Sequence, residues 1–91
     1  MKIHGEVTLM AVDFEIHAII ERGLGPVLGL DVFDRDGDGQ NFVNIKLATH
    51  PENKMHVLHK VIEFVQENED ETFVNIVKKI ESNFTIVLGG K

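Results

Sequence analysis

The sequence has no cysteine, tryptophan or tyrosine, and it contains only two prolines and two arginines. Without cysteine, the chain has no disulfide, no thiolate zinc site and no thiol nucleophile. No apolar run approaches the roughly 20 residues that a membrane-spanning helix needs, and the first residues do not resemble a signal peptide. The expected location is therefore the cytoplasm, with no membrane partner.

Positive charge is also scarce. The formal net charge is −6, and Arg35, one of the two arginines, stands among aspartates. A nucleic-acid-binding protein gains most of its affinity by neutralising phosphates with Lys and Arg. All aromatic residues are Phe, and without a basic groove they do not form a complete stacking platform for bases. We therefore expect no nucleic-acid partner.

The remaining composition is that of a small globular domain. The chain has 91 residues, of which 43% are hydrophobic and 26% are charged. This length predicts a single domain over residues 1–91, with enough apolar residues for a modest core.

Three stretches alternate between apolar and polar residues, the pattern of half-buried strands. The first covers residues 6–21, where Val12, Phe14, Ile16, Ala18 and Ile20 share one side. A single long strand is the preferred interpretation, and a short helix over residues 13–22, ended by Gly23, is the alternative. The second has Leu28, Leu30 and Val32 in phase, and the third, over residues 42–48, has Val43, Ile45 and Leu47. The last two strands flank a short Asp/Gly-rich loop and predict a hairpin.

Two later stretches have the 3.6-residue period of amphipathic helices. Residues 49–70 place an apolar stripe on one side and His and Glu on the other, with Pro51 in the first turn. In residues 70–82, Phe73, Ile76, Val77 and Ile80 follow helical spacing, with Asp70 as the expected cap. Residues 84–88 alternate again and predict a last strand.

The predicted fold class is α+β. An antiparallel sheet of about four strands carries two helices on one face, in the order β-β-β-α-α-β. If residues 13–22 are helical, the order becomes the ferredoxin-like β-α-β-β-α-β. In the preferred fold, Val7, Leu9, Ile19 and Phe33 lie on the face without helices, where exposed apolar groups are costly. This predicts a small non-enzymatic binding or regulatory module that forms a homodimer or docks onto a larger protein partner.

The acidic loop "DRDGDG" is the strongest candidate for a site. Asp34, Asp36 and Asp38 are spaced like positions 1, 3 and 5 of an EF-hand loop, and Gly39 stands at the glycine position. The six residues resemble the first half of an EF-hand loop, and equally the opening of calcium loops in integrin-type β-propeller repeats. The resemblance implies calcium binding by the three aspartates.

The second half of the loop departs from both patterns. The residue at the EF-hand's twelfth position is Ile45 instead of glutamate, and Phe42 replaces the ninth-position aspartate of the propeller loop. A weak calcium site is therefore the alternative function. A plain hairpin tip explains the same residues, because Asp and Gly accept turn conformations.

Two other features have a functional and a structural interpretation. His56 and His59 are spaced i, i+3 on the first helix, where they could bind zinc or simply form its polar face. The Gly89–Gly90 end resembles the tail of ubiquitin-like modifiers, although Lys91 follows it. Ser82 is the single serine and has no His placed beside it, so we predict no enzymatic activity and no resident cofactor.

Overall fold

The computed structural model, which describes residues 5–20, 26–35 and 41–87, forms a four-stranded antiparallel sheet and two helices. The strands are β1 (Gly5–Met10), β2 (Phe14–Ile20), β3 (Val27–Asp34) and β4 (Phe42–Ala48). The helices are α1 (Lys54–Glu67), which follows a 3-10 turn at Pro51–Asn53, and α2 (Phe73–Asn83). The predicted α+β class is thereby confirmed.

The sheet is a meander in which each strand pairs with the next along the chain, in the order β1-β2-β3-β4. Both helices follow all four strands. The ferredoxin-like alternative is therefore wrong, because residues 14–20 form β2 and not a helix.

The stretch predicted as one long strand is divided by a tight turn. Ala11 donates its backbone N–H to the carbonyl of Phe14 at 3.0 Å, and β1 and β2 pair on either side of this turn. The turn contains neither Gly nor Pro, so no breaker residue signals it. It changes the strand phase, because the inward residues are odd-numbered in β1 and even-numbered in β2.

This change of phase corrects the prediction for β1. Val7 pairs with Ala18 and Leu9 pairs with Ile16, so both β1 residues face the helices and pack against the core. A one-residue shift in register moves every side chain of a strand to the opposite face. Ile19 lies on the face without helices, as predicted.

The alternation in β2, β3 and β4 places the core as the sequence predicts. The buried side chains on the sheet are Phe14, Ile16, Ala18, Ile20, Leu28, Leu30, Val32, Ile45 and Leu47. Those from the helices are Leu58, Val61, Val65, Ile76 and Ile80. Together they form one cluster between the sheet and the helical layer.

The start of α2 differs by two residues from the predicted cap. Thr72, not Asp70, is the N-cap, and its hydroxyl accepts the backbone N–H of Asn75 at 3.2 Å. This bond satisfies one of the N–H groups that the first turn of a helix leaves without a partner.

The predicted last strand is present as a short extended segment beside β4. Ile86 bridges Leu47 in antiparallel orientation, and Val87 donates its N–H to the carbonyl of Lys46 at 2.8 Å. The observed element order is therefore β-β-β-β-α-α with a short final pairing. No helix among the described residues is both long and apolar enough to cross a membrane.

Candidate functional site on the open sheet face

The sheet has two faces, of which one is covered by α1 and α2. We call the other the open face, because both helices pack on the opposite side and no helix of the described residues covers it. The strand pairing assigns its residues: Glu6, Thr8, Met10, Glu15, His17, Ile19, Val27, Gly29, Asp31, Phe33, Phe42, Asn44, Lys46 and Ala48.

Pairing across the sheet arranges most of these residues in three rows of four. Row 1 is Met10, Glu15, Phe33 and Phe42; row 2 is Thr8, His17, Asp31 and Asn44; row 3 is Glu6, Ile19, Gly29 and Lys46. Neighbours within a row are close enough to interact across strands.

Row 1 ends in an exposed apolar group. The rings of Phe33 and Phe42 are stacked, with centroids 5.2 Å apart and an interplanar angle of 23°. Phe42 is 54% exposed, and Met10 at the other end of the row is 55% exposed. Burying these side chains against another surface lowers the free energy, because it removes apolar area from water.

His17 lies at the centre of a charged cluster. Its Nδ1 is 2.9 Å from Oε2 of Glu6, and its Nε2 contacts Oε2 of Glu15. A neutral imidazole has one N–H donor, whereas the imidazolium has two. Two carboxylate acceptors therefore favour the charged ring.

The electrostatics agree with this geometry. The hydrogen bond to Glu15 raises the pKa of His17 above its ordinary value of 6.5; burial opposes the rise and Glu6 reinforces it. The ring also packs on Phe33 with centroids 4.9 Å apart. An imidazolium against an aromatic ring gains cation–π attraction.

A second polar pair lies beside this cluster. The side-chain amide of Asn44 donates a hydrogen bond to Oδ1 of Asp31 at 2.7 Å. Lys46, in row 3 on the outer strand, is exposed. Negative groups therefore concentrate on β1, β2 and β3, and a positive group lies on β4.

Arg35 closes one end of the open face. Its backbone N–H donates to the carbonyl of Asp13 at 3.0 Å, and its guanidinium donates to the carbonyl of Ala11. These bonds attach the end of β3 to the turn between β1 and β2. A cavity of about 310 Å³ opens beside them, lined by Glu15, His17, Phe33, Asp34 and Arg35.

The cavity brings together polar groups that already have partners. Both ring nitrogens of His17 contact carboxylates, and the Arg35 guanidinium contacts a backbone carbonyl. A general base needs a free lone pair within reach of a substrate proton. In this arrangement both ring nitrogens of His17 are occupied by carboxylates.

The predicted calcium ligands are only partly within the described residues. Asp34 is the last residue of β3, and its backbone N–H donates to the carbonyl of Asn41 at 3.0 Å, which closes the base of the hairpin. Asp36 and Asp38 lie outside the described residues. The calcium site therefore stays a prediction.

The histidines of the predicted zinc alternative lie on the surface of α1. His56 and His59 are exposed, and His50 Nδ1 is 3.7 Å from a carboxylate oxygen of Glu52. In the described part of the chain, no group of three His, Asp or Glu side chains is arranged to hold a metal ion. The Gly89–Gly90 tail lies outside the described residues.

Sequence reasoning missed the His17 cluster. Glu15 and His17 are two residues apart in one strand, so their shared face could be read from the alternation. Glu6 joins them only because the chain reverses at residues 11–13. The turn contains no Gly or Pro, so the sequence did not indicate that Glu6 would lie beside His17.

Comparison with protein-family models, with curated proteins and with solved structures finds no match for this chain.

Proposed function

We propose that this protein is a non-enzymatic module that associates with a second copy of itself through the open face of the sheet. The observation that carries the proposal is the exposure of Met10 and Phe42 on a sheet face that neither helix covers. Exposed apolar side chains on a sheet face without a covering layer gain from contact with another protein surface.

The polar groups of the open face support the same function. His17 is paired with Glu6 and Glu15, and Asn44 is paired with Asp31. Burying a polar group is costly when it loses its hydrogen bonds and much less so when it keeps them. A second surface can therefore cover this face without leaving these groups unpaired.

The area of the open face determines how strongly two copies are expected to associate. Four strands spaced about 4.8 Å apart and about six residues long make a face of roughly 19 by 20 Å. Two such faces bury about 800 Å², below the roughly 1,200–2,000 Å² of stable specific interfaces and in the range of weak, transient association. We therefore expect dissociation constants of about 10 μM or weaker.

Sedimentation equilibrium over protein concentrations of about 0.01–1 mM tests the proposal in this range. Wild type should move from monomer to dimer as the concentration rises. Phe42→Thr replaces one residue of high strand propensity with another but removes the exposed ring, and it should shift the equilibrium to monomer.

Val74→Thr provides the matched control. Val74 is 56% exposed, close to Phe42, but it lies on α2 in the other layer of the fold. This variant should dimerise like wild type. A wild type that stays monomeric at 1 mM, or equal weakening by both variants, contradicts the proposal. Monomeric wild type that binds a different protein through Phe42 would assign the face to a larger partner.

Calcium binding by the acidic loop is the second candidate function. The structure adds one observation to the sequence pattern: the bond between Asp34 and Asn41 places two oxygen-bearing side chains at the base of the loop. Amide NMR during a calcium titration tests this candidate. Saturable shifts confined to residues 34–41 would support it, and unchanged spectra at millimolar calcium would refute it.

A further inference from the structure

We infer that two copies pack open face to open face about a two-fold axis that runs along the strands, between β2 and β3. In this arrangement β1 of each copy lies over the partner's β4, and β2 lies over the partner's β3. The inference rests on the self-association proposed above and specifies its geometry.

The strand order makes this axis the natural one. A two-fold dimer uses the same surface on both copies, so the face must be complementary to itself. Rotation about an axis along the strands exchanges the outer strands and the inner strands of the meander. Each row of side chains then lies over the same row of the partner, read in reverse order.

Row 3 becomes electrostatically complementary. Glu6 on β1, whose Oε2 also contacts Nδ1 of His17, lies over the partner's Lys46, and Lys46 lies over the partner's Glu6. Aligned sheets cross at about 30°, which displaces these corner positions by about 5 Å, within reach of Glu and Lys side chains. The dimer contains two such ion pairs. In the middle of the row, Ile19 lies over the partner's Gly29, which adds no side chain.

Row 2 adds polar complementarity at the centre. His17, whose two ring nitrogens contact carboxylates, lies over the partner's Asp31. Thr8 lies over the partner's Asn44, so that a hydroxyl meets an amide. His17 and Asp31 lie closest to the centre of the face, so the crossing angle displaces this contact least.

Row 1 joins the exposed apolar groups. Met10 lies over the partner's Phe42, and the two side chains are the most exposed large apolar groups of the open face. A thioether against an aromatic ring is a favourable contact. Glu15 lies over the partner's Phe33, a neutral match, since its carboxylate turns to His17.

The other in-plane axis, perpendicular to the strands, gives a poorer match. With the axis through row 2, it places β1 over the partner's β1 and row 3 over the partner's row 1. Glu6 then meets the partner's Met10, Lys46 meets the partner's Phe42, and the His17 cluster meets its own copy on the partner. Both ion pairs are lost, and two clusters of the same charge face each other.

Charge reversal with rescue by mixing distinguishes these arrangements. Glu6→Lys alone places two lysines opposite each other at both corners of the dimer and also removes one carboxylate partner of His17. Lys46→Glu alone places two glutamates at the corners and leaves the His17 cluster intact. Each variant should dimerise about tenfold more weakly than wild type at low ionic strength, where exposed pairs are least screened. Mixing the two variants recreates both attractive pairs, so the heterodimer should form with an affinity within about threefold of wild type.

If net charge alone controlled dimerisation, the variants would show a different pattern of dimer affinities. Glu6→Lys changes the charge of each chain from −6 to −4, which would strengthen association if overall repulsion were the cause. Glu63→Lys and Lys60→Glu make the same charge changes on the exposed side of α1 and serve as matched controls. Neither control should show the weakening and rescue.

The possible outcomes distinguish the two-fold arrangement from self-association as such. Weakening by each single variant with recovery in the mixture supports the arrangement. A wild-type dimer that Phe42→Thr disrupts, without rescue by mixing, overturns the arrangement but leaves self-association standing. A wild type that is monomeric at every concentration overturns both. Circular dichroism of each variant confirms that the fold is intact in every comparison.

Discussion

The two faces of the sheet are made by the same strands, yet they differ in what fills them. On the covered face, β2 and β3 present apolar side chains at every position except Asp34, the last residue of β3, and Ile16 and Leu30 have no exposed surface. On the open face, the alternate positions carry carboxylates, an imidazole, amides and exposed apolar groups. The covered face holds the fold together by excluding water, whereas the open face pairs its polar groups and still leaves apolar surface exposed.

Two isoleucines on β2 give the largest expected difference in stability between the two faces. Ile16 is fully buried on the covered face, and Ile19 is half-buried on the open face. Ile16→Ala should lower the free energy of unfolding by about 2–5 kcal/mol, because it leaves a cavity in the core. Ile19→Ala should lower it by about 1 kcal/mol or less, because water and neighbouring side chains fill the space. Urea denaturation of dilute monomer measures both; equal losses would contradict the assignment of faces.

The cap of α2 tests the helical layer that covers one face. Thr72→Ala removes the acceptor for the N–H of Asn75 and should lower the free energy of unfolding by about 1 kcal/mol. Thr8→Ala, on the open face, is the matched control because the same hydroxyl is removed at an exposed position. It should change stability by less than about 0.5 kcal/mol. A larger effect at Thr8 would show that the open face contributes to the fold as much as the helix cap does.

The charged groups of the open face predict a pH dependence. The pKa of His17 is raised in the folded state, so its contribution to stability is fully present below the unfolded pKa of about 6.5 and is lost as pH rises through the folded value. The melting temperature of dilute wild type should fall more than that of His17→Gln as the pH rises above the unfolded pKa of about 6.5. Parallel curves for the two proteins would show that the Glu6 and Glu15 contacts do not persist in solution.

The helical layer should respond to pH in the opposite sense. The hydrogen bond from Lys79 lowers the pKa of Glu71, whose carboxylate lies 2.7 Å from the Lys79 Nζ. This contribution is present above the unfolded pKa and is lost as pH falls through the folded value. The pair is partly exposed, so Lys79→Met should reduce the loss of stability in acid only slightly. Melting temperatures at about pH 3 and pH 6 measure the difference; identical losses in both proteins would contradict it.

The smallest effect is expected from the pair next to His17. Asn44→Ala removes the hydrogen bond to Asp31 at the surface of the open face and should cost about 0.2–1 kcal/mol. A double-mutant cycle with Asp31→Ala isolates the pair from other effects of each substitution. A coupling energy of zero would mean that this pair is not held together in solution.

Periodicity was sufficient to predict much of the fold. Residues 28–32 and 43–47 alternate cleanly, and the helices at residues 54–67 and 73–83 carry apolar stripes, so local sequence already specifies which side is buried. Residues 11–13 show where this reasoning stops. The turn there uses Ala, Val and Asp, and it is stabilised by partners distant in sequence: Arg35 contacts Ala11 and Asp13, and the carbonyl of Glu69 accepts the N–H of Val12 at 3.3 Å.

The open face was predicted less completely for the same reason. Ile19 and Phe33 were assigned to it from the alternation within their own strands. Its charged cluster depends on which residues pair across strands, and a single sequence without a turn signal does not specify that register. The calcium loop is the reverse case, because its sequence pattern is clear while two of its three aspartates lie outside the described residues.

The segment that contains Ile86 also limits how this protein can grow into larger assemblies. It hydrogen-bonds to Lys46 and Ala48 and so occupies part of the outer edge of β4, while β1 forms the other edge of the sheet. A fibril that grows by strand addition needs two pairing edges on every subunit, one for each neighbour. With residues 46–48 occupied, less of the β4 edge than of the β1 edge is open to strand addition, so the fold disfavours extension of a filament through β4.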